Sequence, residues 1–484
     1  MTRLAVAAGM GSEAAVPGPS ATGWTSAHRR VVVALFSSAL AAAVAVATWP
    51  PVRLPLLALA LLIAAMVLAV TGSATPWLVV PYVGLAGFGF LVAPLLNSHP
   101  LAAMAQPWAL VALWFLAWAA GEYLTDAAVG GRRRMPPDRV ESRRDYPVLA
   151  VLLAAVASFL VQLALLRQSS IGYGAQVQGL SSTGTSTVVG SVAPIAIATA
   201  YLMARIGGQH RYRLLTGVLV GAEALALATT GFRGSGPLFL ITVWLTRKRW
   251  QPDWRFDTRT ATRWILAVIA ITALFSFGAS RRAQVANLLG RSSAGTQAAD
   301  LSSLPRVIIN RFDFYPSVAP AFSRASSPPA KAAVSPRSEL VAFVPRLLWP
   351  GKPTIDYGHQ VAQAFFDIPA TYRTSSSITW LGDLFVQGGW AAPLVVAVAL
   401  GACIQRQVGP ARRPSVLRIG VYFLVVQALL TLDSPLLISA AASLRTLLAF
   451  LAMCWAFSLP LGGPPVRRRS PRSEVTATGA GEPG

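Results

Sequence analysis

The chain contains few charged residues, few cysteines and few histidines, and each shortage excludes a class of protein. Of its 484 residues, 12% are charged and 54% are hydrophobic, which is the composition of a polytopic membrane protein and not of a soluble enzyme. The two cysteines, Cys403 and Cys454, both lie in apolar stretches, so they provide neither a disulfide framework nor a set of metal ligands. With four histidines and no His/Cys/Asp cluster at ligand spacing, we expect no metal site.

Nucleotide-binding and hydrolase signatures are also missing. The sequence contains no GxxxxGK[ST] phosphate loop and no GxSxG nucleophile elbow. A substrate activated by a bound nucleotide, or a serine nucleophile on an α/β sheet, is therefore not what these residues predict. We expect no cofactor.

Apolar runs of membrane-spanning length recur along the chain. Because lipid offers no partner for an unpaired backbone group, such runs predict helices. We count about twelve of them, at 31–48, 54–71, 77–96, 104–121, 147–166, 187–205, 214–230, 235–247, 264–280, 390–405, 416–433 and 436–459. The fold class that this predicts is an all-α polytopic membrane protein.

The net charge of +23 follows the topology of these spans. Basic clusters occur in every second connection, as expected of cytoplasmic loops. They lie at 132–144, 205–213, 247–263, 406–418 and 467–472. This placement puts both termini in the cytoplasm and leaves little charge to support binding of nucleic acid.

The same pattern divides the chain into five regions. We expect residues 1–30 to form a disordered cytoplasmic tail, because they lack the apolar core of a cleaved signal peptide, and we expect the first span to act as its own uncleaved signal. A transmembrane bundle of about nine spans covers 31–280, an extracytoplasmic loop domain covers 281–389, and about three further spans cover 390–460. Residues 461–484 are a second cytoplasmic tail.

The end of the predicted loop, from Ser338 to Gly389, is the most distinctive water-facing stretch. Three prolines stiffen the backbone around Arg346 and Lys352, because each fixes φ and restricts the residue before it. Arginine suits phosphate because its planar fork donates two parallel hydrogen bonds. We therefore expect an anion-binding and reaction site here, with Arg373 as a further cation and with His359 or Asp383 as the base that accepts a proton.

Three more arginines are candidates for binding an anionic substrate. Arg233 lies among glycines in TTGFRGSGP (229–237), where a turn can expose amide groups beside the guanidinium. Arg311, in NRFDFYP (310–316), has aromatic neighbours typical of a helix lying on the membrane interface. Arg445 lies within the last span, where it either pairs with Glu223 of the seventh span or faces an outward-open substrate cavity.

The run VPRLLWPGKP…YG…TSSSITWLGDLFVQGGW resembles the oligosaccharide repeat-unit polymerase family (Wzy-type, O-antigen polymerase-like). Phe232-Arg233-Gly234 is similar to the family's upstream arginine motif. Asp383 stands where the family more often has Glu, and Val386 and Gln387 replace its Asn-Phe pair. The matching positions are Pro345, Arg346, Pro350, Lys352, Pro353, Gly358, Thr374, Ser377, Thr379, Gly382 and Gly388.

The resemblance implies a GT-C-like glycosyltransferase architecture and a metal-independent glycosyl transfer, inverting or retaining, at the outer face of the bacterial cytoplasmic membrane. It also implies a polyprenyl-diphosphate-linked oligosaccharide as substrate, membrane lipid as surroundings, and flippase and chain-length regulator proteins as partners. Three alternatives stay open. They are a ligase of the same chemistry, a transporter or flippase of lipid-linked oligosaccharide, and a scaffold in an envelope-polysaccharide complex.

Overall fold

A computed structural model of the chain describes eleven stretches of residues and a few residues between them. The stretches are 54–72, 76–130, 146–168, 185–206, 209–230, 235–250, 312–344, 357–369, 377–408, 415–432 and 435–459, with 273, 274, 277, 306, 309, 310, 349, 351 and 352. Within them the secondary structure is entirely helical, without a strand. The expected all-α class is therefore confirmed for these residues.

Nine of the described helices lie between residues 54 and 250. They are α1 (Leu54–Gly72), α2 (Pro76–Gly87), α3 (Ala93–Leu96), α4 (Leu101–Gly130), α5 (Val148–Arg167), α6 (Thr185–Ser191), α7 (Ala193–Ile206), α8 (His210–Thr229) and α9 (Ser235–Trp250). A π-helical turn, Phe88–Val92, joins α2 to α3.

Five short helices follow, and we call them together the short-helix region. They are α10 (Tyr315–Arg324), α11 (Pro328–Ala333), α12 (Pro336–Leu340), α13 (Tyr357–Phe366) and α14 (Trp380–Gly388), with a 3₁₀ turn at Val341–Phe343 after α12. Three long helices end the described chain: α15 (Ala391–Val408), α16 (Val416–Leu430) and α17 (Leu436–Ser458).

Six stretches of helix in the described residues are long and apolar enough to cross a membrane. They are Leu78–Leu96, Leu101–Thr125, Val148–Arg167, Val188–Ile206, His210–Thr229 and Leu436–Ser458. Three shorter apolar helices, Pro55–Val70, Ala391–Arg406 and Val416–Leu430, coincide with further predicted spans. The predicted span 31–48 and nearly all of 264–280 lie outside the described residues, so the total of twelve stays a prediction.

Helix α4 is the centre of the larger core, because α1 and α15 both pack along it. Small residues allow the closest approach. A Cβ placed on Gly121 would lie 2.1 Å from the carbonyl oxygen of Val398, and one on Gly401 would lie 2.2 Å from that of Trp118. The two helices thus meet backbone to backbone, in the manner of small-residue packing between transmembrane helices.

A second core lies between α5, α7, α8, α16 and α17. It holds a polar pair, in which Gln162 Nε2 donates to Glu223 Oε1 at 3.1 Å and both side chains are buried. The structure therefore gives Glu223 a neutral partner on α5. The expected alternative of a Glu223–Arg445 pair is not what the geometry shows.

The segment that leads into the short-helix region is attached at Gly89, in the π-helical turn after α2. The backbone N–H of Phe314 donates to the Gly89 carbonyl at 3.0 Å. Asp313 accepts from Asn97 Nδ2 at 2.5 Å and contacts His99 Nε2 at 2.8 Å. The Asp313 side chain is 2% exposed, so this stretch is docked on protein, whereas its aromatic pattern predicted a helix lying on the membrane interface.

Candidate functional site

The start of α14 holds the candidate site. Thr379 caps the helix, because its Oγ1 accepts from the Gly382 N–H at 3.2 Å. The backbone N–H of Trp380 donates to the Leu432 carbonyl at 3.1 Å, which ties this end of α14 to the segment that follows α16. Asp383 lies in the first helical turn, where the helix dipole favours a negative charge.

Asp383 faces three other polar side chains from three helices. Tyr357 of α13 donates its hydroxyl to Asp383 Oδ1 at 3.3 Å. Gln387, one turn along α14, donates to Glu339 Oε1 of α12 at 3.1 Å. The carboxyl groups of Glu339 and Asp383 lie near enough for each to shift the pKa of the other. The site is thus a carboxyl pair held by a phenol and an amide.

This carboxyl pair is removed from solvent, since Asp383 is 1% and Glu339 is 0% exposed. Burial raises the pKa of Asp383 well above its ordinary value, and the Glu339 carboxylate beside it raises that pKa further. Burial likewise raises the pKa of Glu339 to about 7. Burial and the two nearby carboxylates raise the pKa of Tyr357, so its phenol keeps its proton and acts as a donor.

Lys352 lies close to the 3₁₀ turn that follows α12. Its side chain is 8% exposed, and its Nζ donates to the Val344 carbonyl at 2.8 Å and to the Ala342 carbonyl at 3.4 Å. The ammonium group therefore stabilises the turn next to the helix that carries Glu339. Binding of a diphosphate by Lys352 stays a prediction.

His359 lies on α13, two residues after Tyr357. Its Nε2 is 2.6 Å from Gln363 Nε2, and its Nδ1 is buried without a partner among the described residues. Because successive residues of a helix point about 100° apart, His359 and Tyr357 lie on different faces of α13. The structure thus joins Asp383 to Tyr357, and within the described stretches the ring of His359 is hydrogen-bonded to Gln363 and not to Asp383.

Of the five arginines predicted to bind the substrate, the structure describes one, Arg445. Arg445 is exposed on α17, and its Nε donates to the Ala441 carbonyl one turn earlier at 3.3 Å. The other four, Arg233, Arg311, Arg346 and Arg373, lie outside the described residues. Their proposed contacts with a substrate therefore stay predictions.

Three members of the site, Glu339, Tyr357 and Gln387, had no role in the sequence-based prediction. Gln387 follows Asp383 by four residues, a spacing that places both on one face of α14, and this signal was available. Glu339 and Gln387 are 48 residues apart, and no local pattern links them. A pairing of this kind becomes visible only when the tertiary packing is known.

Chemically, the arrangement can accept a proton from a substrate group near neutral pH, because burial and a like charge raise the pKa of a carboxyl toward the working range of a general base.

Comparison of the chain with protein-family models, with curated proteins and with solved structures finds no match. The interpretation of the site therefore rests on its own geometry and on the sequence motif around it.

Proposed function

We propose that this chain polymerises polyprenyl-diphosphate-linked oligosaccharide repeat units into a surface polysaccharide at the outer face of the cytoplasmic membrane. The observation that carries the proposal is the buried Asp383 carboxyl in the first turn of α14, hydrogen-bonded by Tyr357. It lies within the same stretch of sequence that resembles the polymerase family. The apolar helices on either side of the short-helix region suit a substrate with a polyprenyl tail.

The proposed reaction is a glycosyl transfer. A hydroxyl oxygen of the acceptor sugar attacks the anomeric carbon of the donor glycan, and the bond from that carbon to the diphosphate oxygen breaks. Polyprenyl diphosphate leaves with the bonding electron pair, and the hydroxyl proton passes to Asp383. Arg346 and Arg373 are the proposed ligands of the diphosphate, since positioned cations stabilise the charge that develops on the leaving group.

Reconstitution of the purified full chain with extracted lipid-linked repeat units tests this function, with chain length followed on a gel. Wild type is expected to give a ladder without added nucleotide. Asp383→Asn, which keeps the size of the side chain but removes the base, is expected to lower the rate by about 10²–10⁴-fold.

The outcomes separate the alternatives. Asp367→Asn serves as the control, because Asp367 is an exposed carboxylate of the short-helix region, paired with Arg324 and outside the Asp383 site. If lipid-linked units change leaflets but no ladder forms, the chain is a transporter and the proposal is wrong. If glycan moves only to a different acceptor, the ligase alternative replaces it. A full ladder from Asp383→Asn would transfer the role of base to His359, which His359→Ala then tests.

A further inference from the structure

In each carboxyl group of the pair, one oxygen accepts a hydrogen bond and the other does not. Asp383 Oδ1 accepts from the Tyr357 hydroxyl, and Glu339 Oε1 accepts from the Gln387 amide. Asp383 Oδ2 and Glu339 Oε2 are both buried with no hydrogen-bond partner in the described part of the chain. Each carboxyl therefore has one buried oxygen without a donor.

Two neighbouring carboxylates are unfavourable while both are charged, because like charges repel strongly in a buried site. A single proton shared by the two carboxyl groups replaces that repulsion with a short O–H···O⁻ hydrogen bond. The donors on the outer oxygens, a phenol and an amide, are both neutral. They hold the pair in place without compensating a second negative charge.

Three cations on neighbouring elements have partners outside the carboxyl pair. On α10, Arg324 forms an ion pair with Asp367. On α17, the Nε of Arg445 donates to its own helix at Ala441. The Nζ of Lys352 donates to backbone carbonyls of the 3₁₀ turn.

We propose that Glu339 is a positioning residue that shares one proton with Asp383, so that the site presents one negative charge and not two. The inference rests on the proposed function, since a diphosphate donor approaching a pair with two negative charges would be repelled. When Asp383 accepts the acceptor's proton, the pair becomes two neutral carboxylic acids. The proton leaves to water after the polyprenyl diphosphate has departed, and the pair returns to one shared proton.

Proton sharing predicts two titration steps that belong to the pair and not to either residue alone. Infrared titration of the purified full chain follows the carbonyl stretch of protonated carboxylic acid and needs no enzymatic activity. Wild type is expected to lose the band of the pair in two separate steps. Glu339→Gln keeps an oxygen acceptor for Gln387 but leaves a single carboxyl, so it is expected to show one step.

The rate of polymerisation supplies the second measurement. We expect the wild-type rate to fall at alkaline pH as the shared proton leaves, and Glu339→Gln to lose that alkaline fall while its maximal rate drops by about tenfold or more. If Glu339 had only a structural role, Glu339→Gln would lower the rate equally at every pH. Asp367→Asn is the control, and it should keep both the two-step titration and the wild-type profile.

These measurements separate this inference from the proposed function. Proton sharing is overturned by one titration step in the wild type, or by a Glu339→Gln rate that falls at alkaline pH as in the wild type. A polymer ladder still supports the polymerase in either case. Two steps in the wild type and one in Glu339→Gln, without any ladder under conditions where the protein is folded, overturn the polymerase and leave the shared proton established.

Discussion

The backbone contact between α4 and α15 predicts a large effect from one added methyl group. A Cβ on Gly401 would lie 2.2 Å from the Trp118 carbonyl oxygen and 3.2 Å from the Glu122 nitrogen. Ordinary contacts of carbon with other heavy atoms lie at about 3.5–4.0 Å, so the helices would have to separate by roughly 1.3 Å. The obstructing atoms are backbone atoms, and rotation of a side chain cannot relieve the clash.

We therefore expect Gly401→Ala to lower the free energy of unfolding. Overpacking a close contact costs about 1–3 kcal/mol, whereas replacing glycine by alanine inside a helix gains about 0.5–1 kcal/mol. The net expectation is a loss of about 1 kcal/mol, within a range of about 0–2.5 kcal/mol. The midpoint of thermal unfolding in detergent, followed by tryptophan fluorescence, measures it.

Gly84→Ala is the matched control. The Gly84 position in α2 has no atom within 4 Å of an added Cβ, so this variant gains helix propensity without a clash. We expect its midpoint to equal or exceed that of the wild type. If Gly401→Ala were as stable as Gly84→Ala, α4 and α15 would not approach as closely as described, and the packing argument would fail.

Four further outcomes are expected. Thr379→Ala removes the cap of α14 and should cost about 1 kcal/mol in the same unfolding assay, while Thr379→Ser should recover most of it; equal losses in both would exclude the cap. The raised pKa of Glu339 adds stability that is complete below the ordinary value of 4.5 and is lost as the pH rises through about 7. Unfolding midpoints across this range should therefore decline in the wild type and decline less in Glu339→Gln, where Asp383 is the one carboxyl left of the pair, and a flat wild-type series would contradict burial of the carboxyl. Asp313→Ala removes the acceptor for His99 and should speed protease cleavage near the start of α10, whereas unchanged cleavage would show that Phe314 and Gly89 suffice. Chelator should leave the polymer ladder intact, and its loss would reveal a metal requirement.

Much of the helical framework could be predicted from apolar runs. A membrane-spanning segment needs a minimum length, and its backbone N–H and C=O groups must be hydrogen-bonded within the segment, which favours a helix. The predicted span 147–166 coincides with α5 within one residue at each end. The predicted span 187–205 coincides with the apolar stretch Val188–Ile206, within which the helix is interrupted between α6 and α7. Pro194 accounts for this break, since it lacks the N–H that a continuous helix would need at that position.

The candidate site could be predicted only in part. Asp383 was identified because its motif is local, and the capping of α14 by Thr379 is equally local. Glu339 and Tyr357 reach the site from separate short helices, and their meeting depends on packing that no spacing in the sequence encodes. Burial of both carboxyls, which gives the site its chemistry, is a property of that packing.

The contact between Gly121 and Gly401 also affects how the protein is made. Helix α4 is synthesised long before α15. The face that carries Trp118 and Gly121 is therefore not packed against α15 in the membrane while most of the chain is still being translated. Domains generally assemble in the order of synthesis, and here one face of an early helix is completed only by a late one. A nascent chain stopped before α15 would expose this face, and quality-control proteases would be expected to recognise it.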